Sequence, residues 1–126
     1  MPIVRGIPGF YGERRPRPPL PWTGIYFIQQ GASGPIKIGL AKHPRRRLNN
    51  LQVGSSEPLN LVLDFRGPPE MERLLHGLVR RYHMRGEWFT PSLELYGLIE
   101  RVRAALNGGP PILFREGQRI DAQNAK

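Results

Sequence analysis

The sequence predicts a small α+β domain of three strands and several helices, and three observations predict it. Two short apolar segments, Ile25–Ile28 and Ile36–Leu40, flank a polar, glycine-bearing loop closed by Pro35, the pattern of a hairpin. Leu59–Phe65 alternates apolar and polar residues well enough for a third strand. Beyond it, apolar residues recur at helical spacing over Pro68–Tyr82, and again after a Thr90-Pro91 start signal.

At 126 residues the chain holds one domain with a single core. Its formal net charge is +9, and the cations are overwhelmingly arginine, the lysines being Lys37, Lys42 and Lys126. A guanidinium fork matches phosphate oxygens better than an ammonium does, so nucleic acid is the first partner to consider, with an anionic membrane surface well behind. No apolar run reaches membrane-spanning length and the N-terminus lacks a signal-peptide core, so a cytoplasmic protein, nucleoid-associated if bacterial, is expected. The absence of cysteine removes disulfides and thiolate metal sites, and three scattered histidines argue against structural zinc.

Residues 1–21 mix proline, glycine and arginine without an apolar period and read as a basic arm; Arg14, Arg15 and Arg17 could follow a phosphate backbone or simply stay solvated. In the hairpin, Ile25 and Phe27 share one face, as do Ile36 and Ile38. If these face the core, Tyr26 and Lys37 emerge together on the opposite face, either as a reactive centre or as two half-exposed strand residues. Gly24 and Gly39 bracket them and are expected to leave room for something large to approach. Lys42–Gln52 reads as a short helix opening at Pro44, with Leu48 and Leu51 toward the core and Arg47 at the edge of that face. In the third strand Leu59, Leu61, Leu63 and Phe65 are expected on one side.

Over Pro68–Tyr82, the residues Met71, Leu74, Leu75, Leu78 and Tyr82 form a core stripe. Glu72, His76, Val79 and His83 form a second stripe beside it, which puts a carboxylate and an imidazole one turn apart at the border of core and solvent. Gly86–Phe89 leads to the last helix, with Thr90 as cap and Pro91 at its first position. Leu95, Leu98, Ile99, Val102 and Leu106 give it an apolar face, and Asn107–Pro111 ends it. Ile112–Lys126 is expected to form a small hairpin around Glu116-Gly117 and then fray. The chain thus divides into an arm (1–21), a central domain (22–107) and a C-terminal extension (108–126).

Five pieces occur in a telling order: Gly24-Ile25-Tyr26; Lys37-Ile38-Gly39; Arg47, eight positions past Gly39; Glu72-Arg73-Leu74-Leu75-His76; and Gly86-Glu87-Trp88-Phe89. Together they resemble the GIY-YIG nuclease superfamily, most closely its phage-associated branch, in which the second signature reads KIG. The resemblance spans Gly24 to Phe89 and leaves out the arm and the C-terminal extension. It implies a small three-stranded antiparallel sheet flanked by helices, and metal-dependent cleavage of a DNA phosphodiester. Tyr26, Arg47 and Glu72 fall in the places of the family's tyrosine, arginine and metal-binding glutamate. Lys37 stands where most members have a second tyrosine, so the role of that hydroxyl does not carry over; a lysine there could hold the scissile phosphate or help order a water.

The chemistry such a site must perform is demanding: a water made nucleophilic, charge stabilised at phosphorus, and help for the leaving oxygen. Glu72 suits a single oxygen-ligated Mg²⁺ or Mn²⁺, and Arg47 suits the developing negative charge. Tyr26, flanked by Lys37 and Arg47, is expected to have a lowered pKa and to take a proton from the water. His76 would orient Tyr26 or relay that proton, or else be a structural histidine. Lys42, His43, Arg45 and Arg46 are expected to contact the nucleic-acid backbone. Trp88 and Phe89 read as core plugs, Glu87 as structural and His83 as solvent-facing. DNA is the expected substrate, RNA stays open on charge alone, and intrinsic sequence choice is expected to be low. The competing reading is a catalytically silent nucleic-acid-binding module, motivated by Lys37 and the arginine excess.

Overall fold

The β-branched and aromatic runs TGIYFIQQ and IKIGLA form strands β1 (Thr23–Gln30) and β2 (Ile36–Ala41). Gly31, at φ +65°, and a Gln30 N–H to Pro35 carbonyl bond of 2.9 Å close the hairpin between them. The computed structural model describes residues 21–113 and 119–120, so the expected basic arm lies outside the described residues but for Pro21. β1 pairs antiparallel with β2, Tyr26 opposite Gly39 and Ile28 opposite Lys37. On its other side β1 pairs antiparallel with β3 (Leu59–Gly67).

The class is α+β as expected, but the sheet has five strands in the order β3-β1-β2-β5-β4, not three. The two extra strands are β4 (His83–Arg85) and β5 (Trp88–Phe89), joined through Gly86 at φ +54°. At three and two residues they are too short to carry an alternation signal, and only their pairing to β2 makes them visible. All pairings in this sheet are antiparallel.

A bulge changes the expected facing of β3. The register slips between Phe27 and Ile28, so that Leu63 lies opposite Phe27 and Leu61 opposite Ile28, with Val62 as the extra residue. Leu59 and Leu61 therefore join Tyr26, Ile28, Leu48, Leu51 and Trp88 in a small core that includes helix α1 (Pro44–Val53). Leu63 and Phe65 join the main core instead. There Ile25, Phe27, Ile36 and Ile38 meet Met71, Leu75 and Val79, together with Leu95, Leu98, Ile99, Val102 and Ala105 of α3 (Leu93–Leu106).

Helix α2 runs only from Glu70 to Leu78, and a 3-10 turn over Arg80–Tyr82 replaces the expected final turn. Val79, from the second stripe, is buried, whereas Leu78 is 44% exposed. Val79 leaves helical geometry at φ −121° and ψ 23°, and the Thr90 N–H bond to the Tyr82 carbonyl, 2.7 Å, ties down the chain that follows. The start of α3 also differs from expectation. Ser92, not Thr90, is the cap: its hydroxyl accepts from the Leu95 N–H at 3.0 Å, and Pro91 stays outside the helix. The C-terminal hairpin is present as β6 (Ile112–Leu113) paired with β7 (Arg119–Ile120), its turn and the tail lying outside the described residues. Among the described residues no helix is long and apolar enough to cross a membrane.

The two capping assignments separate cleanly in a denaturant titration. Ser92→Ala should cost about 1 kcal/mol of unfolding free energy, the usual worth of a lost cap, while Thr90→Ala should cost clearly less.

Candidate active site

The register that pairs Tyr26 with Gly39 and Ile28 with Lys37 sets Tyr26 and Lys37 on one face of the hairpin, as the alternation requires. Neither is a surface group: Tyr26 is 1% and Lys37 8% exposed. β5 explains how a lysine tolerates this. Because Trp88 pairs opposite Lys37, the ammonium lies 5.5 Å from the Trp88 ring centre, and Nζ sits 3.0 Å from Oε1 of the preceding residue, Glu87. Lys37 is therefore committed to Glu87 rather than held open for a phosphate.

The signature glycines make close packing possible rather than room for a ligand. A Cβ at Gly39 would fall 2.5 Å from the Tyr26 hydroxyl and 2.9 Å from Glu87 Oε1. At Gly24 it would strike the Ala41 carbonyl and the Pro44 ring, 2.5 and 2.7 Å away. Gly39 is thus the floor over which the phenol and the Glu87 carboxylate approach each other.

Helix α2 delivers the rest. His76 Nε2 lies 2.8 Å from the Ile38 carbonyl and 3.9 Å from Glu72 Oε2, and the imidazole stands edge-on to Phe89 with ring centres 4.9 Å apart. Its proton on Nε2 is donated to backbone, so His76 anchors α2 to β2 and steadies Glu72; it does not reach for Tyr26. From α1, the exposed Arg47 side chain comes near enough to the Tyr26 phenol for its charge to act on it. Lys42, His43, Arg45 and Arg46 are exposed around the start of the same helix and take no part in this cluster. Tyr26, Lys37, Arg47, Glu72 and Glu87 thus converge, from two strands, two helices and the β4–β5 turn.

The family model of the T5orf172 domain matches residues 23–107, from the first residue of β1 to the cap that ends α3. The chain belongs to the T5orf172 domain family. That family is phage-associated and endonuclease-related, GIY-YIG-like in kind, and it suggests a nuclease-like or DNA-binding-like module. Comparison with curated proteins and with solved structures returns no match.

Within this T5orf172 domain the missed residue is Glu87. The sequence reads it as structural, yet it pairs with Lys37, interacts with Glu72, and packs over Gly39 as the Tyr26 hydroxyl does. The signal that could have found it is chemical: a lysine placed mid-strand on a signature needs a carboxylate, and the Gly-Glu-Trp-Phe element carries one. Trp88 and Phe89 pack in the two cores as expected, and His83 is exposed as expected.

Electrostatics then divide the two carboxylates. Burial pushes the Glu72 pKa up to about 7, and the hydrogen bond and charge of Glu87 add to this, while Lys37 and Arg73 pull the other way. Burial also works against charge on Glu87, but hydrogen bonds from Lys37 and Glu72, with the Lys37 charge, outweigh it and hold its carboxyl below the usual range. A proton held by the pair therefore rests on Glu72 rather than Glu87, and it is released as pH rises through about 7. Tyr26 departs from expectation. Burial raises its pKa, with the Glu87 and Glu72 charges adding, and the Arg47 guanidinium opposes this without reversing it. The phenol is a neutral donor at pH 7, not a resting phenolate.

Two carboxylates compelled to share a proton suit a hard divalent cation, which would take the proton's place. Glu72 and Glu87 are the residues that would hold Mg²⁺ or Mn²⁺, leaving most of its shell to water and phosphate. Among the described residues no three His, Asp or Glu side chains are grouped so as to hold a metal ion.

The raised Glu72 pKa makes a stability statement. Between the unfolded value near 4.5 and about 7 the folded protein binds more protons than the unfolded chain, so unfolding free energy falls as pH rises through this window. Glu72→Gln should melt higher than wild type at pH 8 in metal-free buffer, by on the order of 1–3 kcal/mol, and the gap should close below about pH 4.5. A gap unchanged between pH 4.5 and 8 would mean Glu72 ionises as an ordinary carboxylate.

Proposed function

We propose that this protein is a metal-dependent endonuclease that hydrolyses DNA phosphodiester bonds with low intrinsic sequence choice. The observation that carries the reading is the convergence of the Tyr26 phenol, the Arg47 guanidinium and the Glu72–Glu87 carboxylate pair around Gly39. The net charge of +9 supports a polyanionic substrate. Glu72 and Glu87 hold the cation, which when bound polarises the phosphate and stabilises the leaving oxygen. Arg47 binds the scissile phosphate and stabilises charge as it develops, an effect worth about 3 kcal/mol for one well-placed donor. Tyr26, neutral and beside Arg47, orients the attacking water, whose proton passes to solvent while the leaving oxygen takes one from solvent. Lys37 keeps Glu87 ionised and aimed across Gly39, and His76 holds α2 against β2 so that Glu72 faces its partner. Lys42, His43, Arg45 and Arg46, with the N-terminal arm, supply sequence-independent contacts to the strand.

A second reading, a silent DNA-binding module, draws on one observation: Lys37, in the place of a catalytic hydroxyl, is spent on an internal ion pair. The two part company in a cleavage assay on plasmid and RNA side by side, with and without Mg²⁺ or Mn²⁺. Wild type should cut DNA only with metal, and Glu72→Ala and Arg47→Ala should each reduce the rate at least about 100-fold. Activity should rise with pH through about 7, because the cation competes with the proton on Glu72. Salt-sensitive binding with no turnover under any metal would favour the silent module, and cutting by Glu72→Ala would remove that residue's role.

A further inference from the structure

A cavity of about 330 Å³ opens between α2, the 3-10 turn and the β4–β5 hairpin. Its lining is Arg73, His76, Gly77, Arg80, His83 and Phe89, four basic side chains and no carboxylate. Two of its walls are fixed: His76 and His83 stand edge-on to Phe89, 4.9 and 5.5 Å between ring centres, each with Nε2 2.8 Å from a backbone carbonyl, of Ile38 and Gly86. Two of its charges are uncommitted: among the described residues neither Arg73 nor Arg80 forms an ion pair. Residue 77 is the most telling member. It lies in α2 without a positive φ, and a Cβ there would meet nothing within 4 Å. Neither backbone conformation nor packing requires a glycine, although glycine costs a helix about 0.8–1.0 kcal/mol relative to alanine. What it does is keep the cavity floor empty between two arginines.

We propose that this cavity is a phosphate subsite for the nucleic-acid strand, seating a backbone phosphate that neighbours the scissile one. His76 belongs to both places: its ring walls the cavity, and its Nε2 lies 3.9 Å from Glu72. A strand crossing the Tyr26–Glu72 cluster would pass directly from one to the other. Two arginines lining one cavity with no carboxylate among its walls suit phosphate oxygens, which Arg receives in forked geometry. The proposal rests on the nucleic-acid part of the function above and not on cleavage, so it is tested by binding alone.

The experiment measures fluorescence anisotropy of a short labelled DNA strand, and of its duplex, with the full chain in EDTA, where no metal-dependent cutting occurs. Gly77→Leu fills the floor without altering charge, and Gly77→Ala is its folding control, expected to melt at or above wild type. Arg80→Gln removes one contact, and Arg101→Gln, on the exposed face of α3, makes the same charge change elsewhere. Gly77→Leu and Arg80→Gln should each weaken binding about tenfold, and Arg80→Gln should lower the slope of log affinity against log salt by about 1. Gly77→Ala should stay near wild type and Arg101→Gln within about twofold. Binding by Gly77→Leu equal to Gly77→Ala, or equal losses for Arg80→Gln and Arg101→Gln, would overturn the subsite while leaving the cleavage assay to judge the nuclease. If Gly77→Leu does not fold, the arginine pair of variants decides alone. Thymidine 5′-monophosphate is the second probe. Should it bind wild type but not Gly77→Leu, with strand affinity indifferent to the substitution, the cavity takes free nucleotide and the strand assignment falls.

Discussion

The outer edge of β2 is divided between two neighbours, and the site exists because of where that division falls. β5 pairs with Ile36 and Lys37, and the Ile38 N–H still reaches the Glu87 carbonyl at 3.0 Å. There the ladder stops. The next polar group on that edge, the Ile38 carbonyl, is taken by His76. Exposed strand edges demand a partner for each backbone group. Here the demand is met by a strand for one half and by a helix side chain for the other. A β5 longer by one pair would cover Ile38 and leave α2 no place to anchor. Its brevity is what brings a carboxylate from the β4–β5 turn within hydrogen-bonding reach of a carboxylate from α2.

The charge arrangement follows from that geometry. Two carboxylates meet at a half-buried position with only one ammonium, Lys37, inside the cluster. Like charges so close cannot both ionise freely, and the ammonium settles the contest in favour of the group it touches. Lys37 therefore does more than neutralise: it determines which of the two acids keeps a proton. A tyrosine at that position could hydrogen-bond to Glu87 but could not hold it charged by Coulomb attraction, so the lysine and the glutamate act as one unit.

The pairing face of the hairpin, the polar loop, α1 with Leu48 and Leu51, and the apolar stripe of α3 were all legible, because each is a long or strongly periodic local pattern. Tyr26, Lys37, Arg47, Glu72 and His76 were legible through motif and spacing, although their individual roles were not. What escaped depends on contacts distant in sequence. β4 and β5 have no periodicity at two or three residues, and they become strands only by docking on β2. The split of β3 between two cores comes from one extra residue, Val62, which leaves no mark on an alternating pattern. The Tyr26 pKa moves opposite to the sequence expectation because charge neighbours are visible in sequence and burial is not. Glu87 escaped for the same reason as its strand: its importance lies in what the hairpin lands on.

The Val62 bulge also bears on how the molecule behaves in company. β3 is the long edge of the sheet, nine residues whose outer backbone groups have no strand partner among the described residues. A straight edge of that length would template the addition of another chain. The bulge breaks it into two short, differently twisted runs, and the Arg103 guanidinium caps the Val62 carbonyl at 3.1 Å. Asp64 and Arg66, exposed on the distal run, put opposite charges where an incoming copy would have to lie flat. The same irregularity that shares apolar side chains between two cores thus makes this edge of the sheet a poor template for an added strand.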